Sequence, residues 1–226
     1  MSHRHTSNKF LLKASAALQD RRWADAATEL KQAIELNPTN AQAYRELGYL
    51  TYGKLGTPEE ARNLLERAVE LDPESGDAHL YLAIVLDRLA DNARAEQHFF
   101  HAVQLMPNPA LAHASFGDCL SCKDRFDEAE QQFLLALKHD PECAPALRDY
   151  GRLLSLLDRD VEAESMLKKA MKVSDDRWSN HRYGAFLAQF PDRKEEAETL
   201  LLRAVELDPE YAEAIRDLKD LRQRSH

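Results

Sequence analysis

The chain is poor in glycine and cysteine and has no long apolar run. Its 226 residues include seven glycines and nine prolines, which leaves no flexible linker of the Gly/Ser-rich or Pro-rich kind. Three cysteines are compatible with a reducing compartment without requiring one. No stretch reaches the roughly 18 consecutive apolar residues that suggest a membrane span. The first nine residues are polar, so we expect no secretory signal and a cytoplasmic location.

Sequence motifs of catalysis are also missing. There is no glycine-rich phosphate loop and no Gly-x-Ser-x-Gly elbow. The carboxylates fall at positions set by the repeat described below, which favours helix stabilisation over acid–base chemistry. A net charge of −9 argues against nucleic-acid binding, which needs a basic face. The sequence therefore predicts a protein that is not an enzyme and uses no cofactor or metal.

Proline recurs along the chain at a nearly constant interval. Five members of the series are proline, and an aspartate stands at the fifth position: Pro38, Pro73, Pro107, Pro141, Asp175 and Pro209. Most of the prolines end a phrase similar to Glu-Leu-Asp-Pro. A fixed period of this size indicates a stacked array of structural repeats.

Apolar columns run in register with the prolines. An alanine lies twelve residues before each position of the proline series. A large apolar residue follows four residues after this alanine, and a second alanine follows three residues after that. The large residues are Leu30, Leu65, Phe99, Phe133, Leu167 and Leu201. The spacing i, i+4, i+7 marks one face of an α-helix. A second column of large–small pairs precedes it: Leu47-Gly48, Leu82-Ala83, Phe116-Gly117, Tyr150-Gly151 and Tyr183-Gly184. Each repeat is thus predicted to be two helices that cross closely at the small residue.

The combined pattern resembles the tetratricopeptide repeat (TPR), a helix–turn–helix unit whose period matches the proline interval. The resemblance extends over residues 7–209 and implies an all-α, right-handed α-solenoid, a superhelix whose first helices line a concave peptide-binding groove. The pattern departs from the repeat at Lys13-Ala14, at Asp175, and at Gly184, which comes one residue early.

The expected domain organisation follows from these positions. Residues 1–6 are a disordered N-terminal tail, and residues 210–226 are a capping helix with a tail. Between them are six repeats, at about 7–40, 41–75, 76–109, 110–143, 144–176 and 177–209. Two second helices carry start signals: Thr57 precedes Pro58 and Glu60, and Asp192 precedes Glu195.

The predicted groove residues flank the small residue of each first helix. They are Arg45, Tyr49, Tyr52, Tyr81, Ile84, Arg148, Arg152 and Arg182. One hypothesis is a peptide slot with aromatic pockets at one end and arginines for anions at the other. The alternative is that Arg148 and Arg152 pair with Asp118, Asp149 and neighbouring acids. The sequence favours neither of these two interpretations over the other.

Cysteine and histidine offer weaker candidates. Cys119 and Cys122 are spaced as in redox or zinc motifs, but they lie at the C-terminal end of a first helix, where the helix dipole opposes a thiolate. We interpret them as packing residues. His79 occupies a column that packs between helices, whereas His98 and His101 are expected to face solvent on the convex side.

We therefore expect a non-catalytic scaffold or adaptor that binds a protein or peptide in the groove. Its partner would carry an acidic segment or a C-terminal carboxylate. The alternatives are an accessory subunit of a larger assembly, of the pilus, secretion or self-associating kind, acting through convex or terminal surfaces, and a less favoured metal or redox protein using Cys119 and Cys122. Homo-oligomerisation remains open.

Overall fold

The fold is a succession of α-helices. The computed structural model describes the backbone of residues 2–223 and the side chains of residues 5–223, and these residues contain thirteen α-helices and no strand. The helices are α1 (Ser2–Gln19), α2 (Trp23–Leu36), α3 (Ala41–Leu50), α4 (Pro58–Leu71), α5 (Gly76–Arg88), α6 (Asn92–Leu105), α7 (Ala110–Ser121), α8 (Phe126–His139), α9 (Ala144–Leu156), α10 (Asp160–Val173), α11 (Arg177–Leu187), α12 (Lys194–Leu207) and α13 (Ala212–Gln223). A π-helix, Thr51–Leu55, continues α3, and a 3₁₀ turn, Pro191–Arg193, precedes α12.

Six consecutive helix pairs, α1/α2 to α11/α12, are held together by the columns read from the sequence. Every alanine of the two alanine columns is fully buried. The large apolar residue between them is at most 1% exposed in all six pairs. Burying such a side chain contributes about 1.5–3 kcal/mol. The repeated all-α helix pairs confirm the fold class.

The small residue of the first helix is needed because the second helix comes very close. A Cβ built on Gly117 would lie 2.9 Å from the Phe133 ring, and one built on Gly151 would lie 2.7 Å from Cγ of Leu167. Contacts this short force a neighbour to shift. The third pair has Ala83 at this position, fully buried, in place of glycine.

Four of the turns inside the helix pairs share a non-glycine residue in the left-handed region. These residues are Arg21, Ala90, Asp124 and Asp158, with φ of 57°, 60°, 58° and 58°. After Asp158, the amide of Arg159 donates to the Leu154 carbonyl at 2.9 Å, which is the closing bond of a Schellman motif. The motif satisfies the last carbonyls of the first helix and turns the chain back along it.

Two sequence predictions about chain ends and caps are wrong. The expected disordered tail, residues 1–6, is instead helical from Ser2, because no proline or glycine interrupts the first turns. Nearby, the buried Ser7 hydroxyl donates to the Ala33 carbonyl at 2.9 Å and accepts from Asn40 Nδ2 at 3.1 Å, which ties α1 down. Asp192 does not cap α12, because Pro191–Arg193 forms a 3₁₀ turn and Arg193 is the residue before the helix.

The chain divides into two compact units, Met1–Pro109 (unit 1) and Ala110–His226 (unit 2). In unit 1, one core is built by α1, α2 and α3. In unit 2, the core runs from Leu120 of α7 to Leu218 and Leu221 of α13, so the last helix covers the final pair. We retain the six repeat ranges as a proposed division of the chain. Across the described residues, no helix combines the length and apolarity required to cross a bilayer.

The capping box at the start of α4 provides a test of local stability. Thr57 accepts from the Glu60 amide at 3.3 Å, and Glu60 Oε2 accepts from the Thr57 amide at 3.2 Å. Thr57→Ala should lower the free energy of unfolding by about 1 kcal/mol, because it removes one half of the box. Thr199→Ala in the middle of α12, where the hydroxyl bonds only the Glu195 carbonyl, is the matched control. Urea unfolding measures the loss of stability in both variants. Equal losses would show that removal of the cap is not the cause of the loss in Thr57→Ala.

Candidate functional site

The first helices of unit 2 bring three predicted arginines together. Helices α7, α9 and α11 pack in that order. Asp118 comes from α7, Arg148, Asp149 and Arg152 come from α9, and Arg182 comes from α11. We call these five residues the arginine face. Among these five residues, three guanidinium groups face two carboxylates, and Asp176, just before α11, is a third acid that acts on Arg148.

Asp149 is the buried centre of the arginine face. Its side chain is 9% exposed. Arg148 donates to both carboxylate oxygens, at 3.0 Å from Nε and 2.8 Å from Nη2, which is the strong two-bond geometry of arginine with a carboxylate. Arg182 Nε lies 3.9 Å from the same carboxylate. Arg182 is more exposed than Arg148, with 36% of its side chain accessible against 15%.

Arg152 joins two successive repeats. Its Nη2 donates to Asp118 Oδ1 at 2.9 Å and to the Ser121 hydroxyl at 3.2 Å. Burial, followed by the nearby Asp149 carboxylate, raises the pKa of Asp118. Arg152 Nε is buried and has no hydrogen-bond partner among the described residues. The ion pairs of the alternative interpretation are therefore formed.

The first helices of unit 1 present aromatic rings. Tyr49 of α3 stacks on Tyr81 of α5, with ring centroids 4.4 Å apart and an interplanar angle of 27°. Tyr49 is 53% exposed. Tyr52 follows in the π-helix, and Ile84 lies one turn after Tyr81. We call Arg45, Tyr49, Tyr52, Tyr81 and Ile84 the aromatic face.

Arg45, one of the predicted groove residues, lies close to two acids. Its Nη1 lies 3.5 Å from Asp77 Oδ2, and its Nη2 lies 3.9 Å from Glu46 Oε1. Burial is the main cause that raises the pKa of Tyr81, with smaller effects from Tyr49 and Asp77. The phenol is therefore neutral at physiological pH and available as a hydrogen-bond donor.

The three cysteines are thiols in different surroundings. Cys119 is buried and its Sγ accepts from Lys123 Nζ at 2.8 Å, whereas Cys122 is exposed. Cys143 is buried, and burial raises the pKa of its thiol. Within residues 5–223, no three histidine, cysteine or acidic side chains form a group able to hold a metal ion.

Sequence reasoning missed two histidine clusters. His98, expected to face solvent, is half-buried, and its Nδ1 lies 2.8 Å from Nδ1 of His79. His181 of α11 is buried, with Nε2 at 2.8 Å from Asp217 Oδ2 and Nδ1 at 2.9 Å from the Tyr211 hydroxyl. His181 thus fastens α13 and the residue just before it to the last helix pair. In the sequence, the first cluster was indicated only by His79 and His113, which occupy equivalent positions in successive repeats.

Comparison with known proteins points to one family. The family model described as TPR repeat matches residues 21–56, and the one described as tetratricopeptide repeat matches residues 54–115. The Sol locus transcriptional repressor of Clostridium acetobutylicum is 29% identical over 75 residues, which are 33% of this chain. The aligned part spans only 23% of that relative's length.

Solved structures share the fold over most of the chain. YrrB, described as a TPR protein with an unusual peptide-binding site, is 28% identical, with a TM-score of 0.52 over 73% of this chain and 84% of YrrB. PilW, a type IV pilus biogenesis factor, is 19% identical, with a TM-score of 0.73 over 94% and 98%. Pseudomonas aeruginosa PilF is 17% identical, with a TM-score of 0.70 over 97% and 100%.

The family matches, over residues 21–115, fall within the periodic helix pairs. Proteins built from such repeats are generally non-catalytic, and these findings support a protein-interaction scaffold. Residues 21–115 match models of the tetratricopeptide-repeat family, and solved structures such as YrrB share the fold over most of the chain.

Proposed function

We propose that the protein is an adaptor that binds an extended peptide segment of its partner on the faces of its first helices. The observation that carries the proposal is the gathering of three arginines on one face by ion pairs, with the side chain of Arg182 still 36% exposed. A partner carboxylate, from an acidic side chain or a chain end, would bind the accessible guanidinium group. Arginine is suited to this because its planar group binds carboxylates through two hydrogen bonds.

On unit 1, the aromatic face would bind apolar side chains of a partner. Tyrosine and arginine are the side chains that most often dominate binding energy at interfaces. Tyr49 and Tyr81 stack on each other, and both are placed by α-helices. Little conformational entropy is then lost when a peptide binds, so more of the contact energy appears as affinity.

The rival proposal is an accessory subunit of a larger assembly that works through the second helices or the ends of the chain. Phe100 of α6 and Leu134 of α8 are exposed apolar residues on second helices, 57% and 51% accessible. The rival therefore has its own candidate contacts, and the two proposals predict different surfaces.

Photo-crosslinking distinguishes the two surfaces. A photoreactive phenylalanine analogue placed at Tyr49 should capture a partner from a native extract, and the same analogue at Phe100, the matched exposed control, should not. Tyr49→Ala should then weaken binding of the identified partner about tenfold, corresponding to a truncation cost above about 1 kcal/mol. Capture from Phe100 alone would favour the rival surface. Unchanged affinity of Tyr49→Ala would exclude the aromatic face.

A further inference from the structure

Three imidazoles lie close together between α5 and α6 of unit 1. His79 belongs to α5, and His98 and His101 belong to α6. The ring centroid of His79 lies 5.0 Å from those of both His98 and His101, which are 6.5 Å from each other. Nδ1 of His79 lies 2.8 Å from Nδ1 of His98, and Nε2 of His79 lies 3.0 Å from the carbonyl oxygen of Pro73.

These contacts fix where the protons are. A carbonyl oxygen only accepts, so Nε2 of His79 carries its proton and Nδ1 of His79 holds a lone pair. Nδ1 of His98 therefore donates to Nδ1 of His79. One additional proton can enter on Nε2 of His98 and leave this bond intact. A second additional proton, on Nδ1 of His79, would place two N–H groups against each other at 2.8 Å and break this hydrogen bond.

We propose that the hydrogen bond between His79 and His98 is an acid-sensitive link that holds α5 to α6 at neutral pH and opens under mildly acidic conditions. Opening loosens the third helix pair within unit 1. Because α5 also carries Tyr81 and Ile84, opening of the link disturbs the aromatic face as well.

The charged groups around the pair do not offset this sensitivity. On α6, His101 and Arg94 face the pair, and Arg94 is itself bound to Glu66 of α4 at 2.7 Å. Glu74, in the turn before α5, is the other acid near His79. Burial lowers the pKa of His79, and burial together with the His79 ring lowers the pKa of His98 to about 4.

The direction of the pH effect follows from these shifts. Both folded pKa values lie below the value of about 6.5 expected in the unfolded chain, so the unfolded state binds more protons in acid. The stabilisation is complete above about pH 6.5 and is lost as the pH falls from there toward 4. Acid should therefore favour opening of the α5/α6 pair.

The next repeat contains a natural comparison. His113 occupies in the fourth repeat the position that His79 has in the third, and Gln132 occupies the position of His98. Nδ1 of His113 lies 2.8 Å from Oε1 of Gln132. The amide oxygen accepts from either a neutral or a protonated imidazole and does not titrate. His98→Gln therefore places a partner that does not titrate in the third repeat: its amide NH2 can donate to Nδ1 of neutral His79, and its oxygen can accept from that nitrogen once it is protonated.

Hydrogen exchange of the full chain tests the link. Between pH 7.5 and 5.0, after correction for intrinsic exchange, protection of residues 76–105 should fall about tenfold or more. Residues 110–139 should lose less, because burial lowers the pKa of only one histidine in the His113–Gln132 pair. His98→Gln should reduce the loss in residues 76–105 to the level seen in 110–139. Equal losses in both segments of the wild type, or an unchanged loss in the variant, would overturn the proposal.

A second measurement does not depend on the variant. Titration of the wild-type histidine side chains by ¹⁵N NMR should give His79 and His98 pKa values clearly below the ordinary value of about 6.5. The Nδ1 and Nε2 shifts should also report the Nε2–H tautomer of His79 at neutral pH. Ordinary titration of both rings, or the other tautomer, would show that the link is not formed.

Discussion

Replacing Phe133 by alanine should destabilise the protein by about 3–5 kcal/mol, the range typical of a large aromatic removed from a rigid core. Phe133 has no exposed surface. Its ring lies against Gly117 and stacks near Tyr150, with centroids 5.8 Å apart. The cavity would therefore open at the crossing of α7 and α8, where glycine already allows the closest approach and cannot fill the space.

Two neighbouring variants make this result interpretable. Leu134→Ala changes the next residue, which is 51% exposed, and should cost less than about 0.5 kcal/mol. Phe133→Leu restores the side chain found at this position in four of the six pairs and should recover most of the loss. Chemical unfolding followed by circular dichroism measures all three. A similar cost for Leu134→Ala and Phe133→Ala would mean that the columns do not form the core.

Asp149→Asn should lower the free energy of unfolding by about 2–3 kcal/mol, because its neutral replacement leaves half-buried guanidinium groups without their anion. The carboxylate accepts two bonds from Arg148 and lies near Arg182. The same change removes one negative charge from the arginine face, so it should also strengthen the binding of acidic peptides. Stability and affinity should thus move in opposite directions.

The control for this prediction is an exposed ion pair. Arg22 and Asp25 are 3.0 Å apart, but more than half of each side chain is exposed, so Asp25→Asn should change stability by less than about 1 kcal/mol. Binding is measured by fluorescence anisotropy of a labelled tetraglutamate peptide at low and high salt, with tetralysine as the opposite probe. Tighter binding of tetralysine by Asp149→Asn, or no gain for tetraglutamate, would contradict the anion-binding role.

The sequence correctly predicted the packing features that recur with the repeat period. The fully buried alanines, the large residue between them and the glycine at the crossing could all be placed by counting, since each repeat buries the same face. The capping box at Thr57 could also be predicted, because its bonds join residues that are adjacent in the sequence. The failures at Asp192 and at the N-terminus arose where the pattern was weakest, beside the Phe190-Pro191 turn and before the first column.

The predicted binding residues lie on first helices, except Tyr52 in the π-helix that continues α3, but their surroundings did not follow from the pattern. Counting placed Tyr49 and Tyr81 beside the small residues of successive first helices, yet it could not show that the rings stack at 4.4 Å. It left open whether Arg148 and Arg152 were free or paired. Which acid an arginine reaches depends on side-chain rotamers and on distances between helices, and neither is encoded in a single repeat.

What the sequence alone determined, then, is the succession of helix pairs and the face that each helix buries, because hydrophobic burial is set by periodicity and recurs in the same register in every repeat. Only the tertiary structure decided the polar contacts between helices. Arg152 bonds Asp118 one repeat away, and His98 bonds His79 across a turn. Hydrogen bonds and ion pairs require atoms within about 3 Å in the correct orientation, and that precision exists only once the helices are packed.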